Sequence, residues 1–207
     1  MSGIAKAKQL TEQQQLLFEK LCADRMESAK MLEKPSMEGI KETVVEKYSE
    51  QAHFVYELLQ NADDAKATKV RFIVSRNGLI FAHNGTVHFS ISDVDTEGSD
   101  KDKSSLGHIN AITSTAQTAK SESEIGKFGI GFKSVFQYSD TPEIFDPPFY
   151  FRIERFIVPI QLPLDHSERK RENNETLFFF PFNSLKKKPN DAYDEITARL
   201  KDLNHPL

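Results

Sequence analysis

Apolar residues recur at helical spacing from about Gln9 to Leu32, where Leu10, Leu17, Leu21 and Met31 fall near one face. Pro35 and Gly39 punctuate that stretch, and two further helices are expected over about residues 37–48 and 50–65. The period then changes. Lys69-Val70-Arg71-Phe72-Ile73-Val74 and Leu79-Ile80-Phe81-Ala82 flank Asn77-Gly78, a pair suited to the positive φ angles of a tight hairpin. From Asp93 to Glu124 the chain is polar, with a single short apolar piece at Leu106-Gly107-His108-Ile109. A segment of that length inside a compact domain is expected to be a lid or disordered. A glycine-rich turn, Gly126-Lys127-Phe128-Gly129-Ile130-Gly131, opens a short apolar helix from Phe132 to Tyr138. Strands are expected near residues 143–145, 149–153, 156–162 and 176–182, and a closing helix from about Ala192 to Leu203. Helices gather early and strands late, the order of an α+β layered domain with a largely antiparallel sheet.

The 207 residues suffice for one domain with a substantial core, with or without a helical extension. No stretch approaches the roughly 20 apolar residues that span a bilayer, and no apolar signal core follows the N-terminus. Cys22 is the single cysteine, which excludes an intrachain disulfide and a zinc cluster. A cytoplasmic location is the expectation. The net charge of -4 leaves no electrostatic footprint for nucleic acid, and the basic runs Arg169-Lys170-Arg171 and Lys186-Lys187-Lys188 read as solvated loops or helix ends. His88, His108, His166 and His205 lack metal-ligand spacing, so a zinc or iron site is not expected.

Two segments carry candidate chemistry. Glu57, Asn61 and Asp64 stand at i, i+4 and i+7 on the third helix, and His53 extends the stripe by a turn. The stripe is either a solvent face or the wall of a site. In a site, the Asn61 oxygen is a hard, neutral ligand suited to Mg²⁺ beside phosphate oxygens, and Glu57 could take a proton from an attacking water. Gly126, Gly129 and Gly131 would let backbone N–H groups approach an anion at a helix start. Their spacing matches neither the P-loop nor the dinucleotide fingerprint. This turn is either purely structural or a phosphate cradle.

Together the two segments resemble a known family. Glu57-Leu58-Leu59-Gln60-Asn61-Ala62-Asp63-Asp64-Ala65 resembles the N-box E-L-x-x-N-x-x-D-A of GHKL ATPases. Gly126-Lys127-Phe128-Gly129-Ile130-Gly131-Phe132 looks like the G-x-F-G-x-G-F box of the heat-shock-chaperone branch. Narrower still, His53-Phe54, His83-Asn84-Gly85 and the stretch Ile125 to Ile144 are similar to sacsin-type domains, which usually sit in far larger proteins. The resemblance covers roughly Gly39 to Phe182. It implies a two-layer α+β sandwich, with a mixed, mainly antiparallel sheet and helices on one face. Residues 1–36 would form a helical extension and residues 37–207 an ATP-binding domain.

The resemblance also implies roles. Glu57 matches the general base, Asn61 the Mg²⁺ ligand and Asp64 a residue near the nucleotide. Gly126, Gly129 and Gly131 match the glycines under the phosphates, alongside Lys127, Phe128, Ile130 and Phe132. Thr176 matches the threonine of a late strand that helps hold the adenine-reading aspartate. That aspartate belongs to a D-x-G-x-G motif, where this chain has His83-Asn84-Gly85. The His83 imidazole or the Asn84 amide oxygen could accept from the base in its place; alternatively His83 is a hydrogen-bonded residue at a hairpin end. ATP and Mg²⁺ are the implied cofactors. The implied activity is slow hydrolysis under a mobile lid, completed by a Lys or Arg from a following domain or a second copy. The alternative is a non-hydrolysing ATP-gated switch or dimerisation module. No phosphoacceptor helix with a suitable His-Glu or His-Asp pair precedes the N-box, which argues against a histidine kinase core.

Overall fold

The computed structural model describes residues 9–37, 39, 53–97, 106–114, 131–163, 171–172 and 174–203. The helix expected over 37–48, most of the expected lid, and Gly126, Lys127, Phe128, Gly129 and Ile130 lie outside the described residues.

Helix α1 spans Glu12–Leu32 and starts at a capping box: the Thr11 hydroxyl accepts the Gln14 N–H at 3.2 Å, and the Gln14 side chain accepts the Thr11 N–H at 3.0 Å. Its buried seam is Phe18, Leu21, Arg25, Ala29 and Leu32. Met31, expected on that face, is 52% exposed. The difference arises because Arg25 occupies a core position that a hydrophobic pattern scores as polar. Its guanidinium reaches both Glu97 oxygens at 2.6 and 2.7 Å, while Lys20 meets Asp93 at 2.7 Å and Asp95 at 2.5 Å. These ties fasten α1 to residues 93–97.

Helix α2 spans His53–Asp64 and buries Phe54, Val55, Leu58 and Ala62. It stops in a Schellman arrangement. Lys66 takes a left-handed φ of 62°, its N–H bonds the Asp63 carbonyl, and the Ala67 N–H reaches back to Ala62. Strands β1 (Val70–Ser75) and β2 (Gly78–His83) follow as an antiparallel hairpin. The hairpin is where the alternation puts it, but its turn differs from expectation. Arg76 and Asn77 form the turn without positive φ, and Gly78 is already the first strand residue. A Cβ there would lie 2.5 Å from the Phe180 carbonyl oxygen, so glycine is needed for close approach to the next strand, not for the turn.

Helix α3 is short, His108–Ile112. The apolar segment expected as a helix after Gly131 is a 3-10 helix, Gly131–Gln137, in which Phe132 through Phe136 are all buried. Strands β3 (Glu143–Asp146), β4 (Phe149–Glu154) and β5 (Val158–Gln161) form a meander, and β6 (Thr176–Pro181) precedes α4 (Pro189–Asp202). Pro189 stands in the first turn of α4, so the helix begins three residues before the expected Ala192. Strand β5 starts later than expected because residues 155–157 make the turn, with Arg155 at φ 50° and Phe156 at φ 75°. That costly conformation is held from two sides. Arg155 Nε pairs with Glu33 at 2.8 Å, and the Phe156 carbonyl accepts Lys133 Nζ at 2.9 Å. Lys133 is buried between the Phe136 and Phe156 rings, and desolvation pulls its pKa from 10.5 to about 7.

The sheet order is β1-β2-β6-β3-β4-β5, and every pairing among the described residues is antiparallel. Alternation sorts the side chains cleanly. Leu79, Phe81, Phe178, Phe180, Ile144, Phe149, Phe151 and Ile153 face a core shared with α1, α2 and α4. Ala82, Phe145 and Leu177 face the other side, with Leu162, Ile80, Tyr150 and Phe179. The chain is thus an α+β two-layer sandwich with its helices on one face. No helix among the described residues is long and apolar enough to cross a membrane.

Phe178, 1% exposed, contacts the Phe81, Phe89, Phe132 and Phe180 rings at centroid distances of 5.8–6.3 Å. Phe178→Ala is expected to lower unfolding stability by about 3–5 kcal/mol in urea titration. Leu185→Ala, at a residue 98% exposed, should stay within roughly 0.5 kcal/mol of wild type.

Candidate functional site

Pairing registers place a row of three polar residues across one end of the sheet. His83 of β2 faces Thr176 of β6. Phe145 faces Leu177 one step further in, which brings Asp146 alongside Thr176 on the third strand. By alternation with Phe81, Phe178 and Ile144, all three point to the helix-covered face. They are 2%, 1% and 0% exposed respectively.

A wholly buried carboxylate is costly unless hydrogen bonds replace its water. Asp146 receives three donors: the Thr176 hydroxyl at 2.9 Å, the Phe89 backbone N–H at 2.5 Å and His88 Nδ1 at 2.7 Å. Thr176 thus donates to an aspartate on β3. Sequence reasoning missed Asp146 and set His88 aside. The available signal was parity: Asp146 shares a strand face with Ile144, so an acid occupies a core-facing position.

His83 donates nothing through Nδ1, which accepts the Gly85 N–H at 3.1 Å. Burial holds its pKa below the ordinary histidine value. Asn84 is exposed, and its amide is turned to the chain: Oδ1 accepts the Thr68 and Lys69 N–H groups at 2.9 and 2.8 Å, and Nδ2 donates to the Thr68 hydroxyl at 2.9 Å. Gly85 lies against the end of α2, where a Cβ would come 2.7 Å from the Ala65 carbonyl oxygen. That carbonyl accepts the Thr86 and Val87 N–H groups at 2.9 and 3.2 Å.

These bonds shape a shallow recess lined by Ala65, His83, Val87, His88, Phe89, His108 and Thr176, whose enclosed space is about 10 Å³. That is room for about one water, far below the roughly 300–1,000 Å³ of clefts that enclose drug-sized ligands, so a bound base would lie at its mouth or require it to widen. Helix α2 leads into it. Glu57, Asn61 and Ala65 stand at successive i, i+4 positions, so one helix face runs from the acid through the amide to the recess wall. Asn61 is 6% exposed and Glu57 partly buried. Asp64, expected on the same stripe, is exposed and does not line the recess. Phe132 lies in the core against Phe178 and Phe180, beyond the Gly126–Ile130 segment that falls outside the described residues.

Burial lowers the pKa of both His83 and His108 from 6.5. A depressed folded-state pKa means the unfolded chain binds more protons, so this stabilisation is complete above about pH 6.5 and is lost as pH falls through the folded-state values. Urea midpoints should decline from pH 7 to pH 5, and His83→Gln should decline less steeply. Identical slopes would remove the assignment of His83 as a buried neutral imidazole.

The Sacsin domain family model matches residues 34–153, more than half of the chain. Over 131 residues the chain is 34% identical to Protein NO VEIN of Arabidopsis thaliana, covering 57% of this chain and 4% of that protein. It is 30% identical over 118 residues to Sacsin of Homo sapiens, covering 51% of this chain and 2% of that protein. The chain therefore spans only a few per cent of the length of these relatives. The family match includes Glu57, Asn61, His83, His88 and Asp146, and ends before β6 with Thr176. With more than half its length matched, the chain belongs to the Sacsin domain family.

Proposed function

We propose that this domain is a GHKL-type nucleotide module that binds Mg–ATP, hydrolyses it slowly and passes the resulting conformational change to a larger protein. The observation that carries this reading is the continuous α2 face on which Glu57 and Asn61 lead to a recess walled by His83 and Thr176. The base would lie at the mouth of the recess and the phosphates along α2.

The donor set fits Mg²⁺. That ion keeps several waters and takes phosphate oxygens, so it needs few protein ligands. Asn61 offers a neutral oxygen that does not repel phosphate, and it would hold the ion. When bound, Mg²⁺ neutralises charge developing on the phosphates. Glu57, one turn away, takes a proton from the attacking water and positions its lone pair. The polar segment from about Asp93 to Glu124, with the glycine turn, is the proposed lid that excludes bulk water from the phosphates. A Lys or Arg from a neighbouring domain or a second copy would speed the reaction, and without it turnover is slow.

Isothermal titration of Mg–ATP together with phosphate release tests the reading. Wild type should bind ATP. Asn61→Ala should lose Mg²⁺-dependent binding. Glu57→Ala should keep binding, with turnover lowered by about 10²–10⁴-fold, the usual worth of a general base. An unchanged rate in Glu57→Ala would remove the base assignment and leave the ATP-gated switch.

A further inference from the structure

We infer that the outer edge of β1 docks a second copy of this chain, the two β1 strands pairing antiparallel about a two-fold axis at Phe72 and joining two six-stranded sheets into one. β1 contributes no residue to the recess, and the pairing calls on no nucleotide.

The two edges of the sheet are built differently. β5 is four residues long, carries Pro159 and lies against α1, where Gln15 Nε2 donates to the Gln161 side chain at 3.1 Å. A short strand, a proline and a covering helix are the usual protections of an edge. β1 runs six residues without proline and pairs with β2 in an unbroken register from Val70 opposite His83 to Ser75 opposite Gly78. Helix α4 reaches it from the helix-facing core. Its basic groups do not guard the edge either. The Arg71 guanidinium is drawn inward across β2 to Glu175 at 2.5 Å, and Lys69 faces Glu172 at 3.8 Å. Val70 and Ile73 are 38% and 46% exposed.

Hydrogen-bond parity decides which backbone groups face out. The Asn84 N–H donates to the Lys69 carbonyl at 3.2 Å, so residues 69, 71, 73 and 75 turn their backbone groups to β2. The far side of β2 agrees: the Phe182 N–H reaches the Asn77 carbonyl at 3.1 Å, so odd positions of β2 bond β6 and even positions bond β1. Val70, Phe72 and Val74 are left with N–H and C=O groups directed away from the sheet, and none of the described residues bonds them.

A two-fold axis at Phe72 pairs all of these groups. Val70 falls opposite Val74 of the partner subunit and Phe72 opposite Phe72 of the partner subunit, each a hydrogen-bonded pair. On the helix-facing side every opposed pair is apolar. On the open side Arg71 falls opposite Ile73 of the partner subunit, its charge already matched by Glu175. With Arg71 and Lys69 each beside an acid, nothing on this edge selects a charged peptide, whereas the strand complements its own reverse on both faces. The contact is small, so the dimer belongs to the weak class that buries under about 1,200 Å².

Sedimentation equilibrium combined with amide hydrogen exchange tests this surface. Wild type should associate with a dissociation constant on the order of 10–100 µM. The Val70, Phe72 and Val74 amides should exchange freely in dilute protein and become protected as concentration rises. Val70→Pro removes an outward N–H that the single chain does not use, and should weaken association by about tenfold or more. Ile73→Lys sets like charge opposite Arg71 of the partner subunit and should weaken it by a similar factor, whereas Ile73→Glu sets an acid there and should retain the dimer. Urea midpoints close to wild type verify that each variant is folded. A wild-type chain that stays monomeric to about 1 mM, or a dimer in which those three amides stay unprotected, overturns the surface. Loss of association in Ile73→Glu as severe as in Ile73→Lys overturns the axis at Phe72, because an axis at Ile73 would oppose that residue to itself.

Discussion

Strand β6 is the constraint on which both fold and site depend. It pairs with β2 on one edge and β3 on the other, and so joins a hairpin and a meander into one sheet. Its alternate residues Phe178 and Phe180 fill the helix-facing core, while Leu177 and Phe179 face the opposite cluster. The same registers set Thr176 between His83 and Asp146. A one-residue slip of β6 would turn both phenylalanines out of the core and Thr176 away from its carboxylate. Core packing therefore enforces the alignment of the polar row.

The second organising interaction is the buried Asp146 carboxylate. Two of its three donors come from residues 88–89, in the connection that leaves β2. That connection is pinned three times in succession: at Asn84 to residues 68–69, at residues 86–87 to the α2 terminus, and at residues 88–89 to β3. The walls of the recess are thus fixed by bonds to three different elements. On the other side of the core, Arg25 and Lys20 fasten α1 to residues 93–97, so the polar stretch after the recess is held at its start as well.

Much of this was legible in the residues. The period-2 runs mark β1, β2 and β6, and the spacing of Glu57 and Asn61 puts both on one helix face. Asn77-Gly78 was legible as a hairpin but not for the right reason: Gly78 is small because Phe179 and Phe180 press on it. The partnership of Asp146 with His88 was hidden, because it joins residues 58 positions apart through strand pairing. Nothing local in Phe145-Asp146-Pro147-Pro148 announces a buried acid beyond its parity with Ile144. His88 lacks metal-ligand spacing, and its partner is a carboxylate brought in by the third strand of the row. The α1 seam was misaligned for a related reason: a charged Arg25 can occupy a core slot when Glu97 accompanies it.

Lys133 has a consequence of a different kind. With a pKa of about 7, a large share of its amine is unprotonated in neutral solution, the form that attacks electrophiles. Yet the residue is 1% exposed behind two aromatic rings, so acylating reagents reach it only when the turn at residues 155–157 comes away from the 3-10 helix. The domain thereby carries an intrinsic chemical reporter of local opening: the amine is out of reach while the turn is closed, and opening gives reagents access while rehydration returns it to an ordinary lysine, so labelling follows the opening itself.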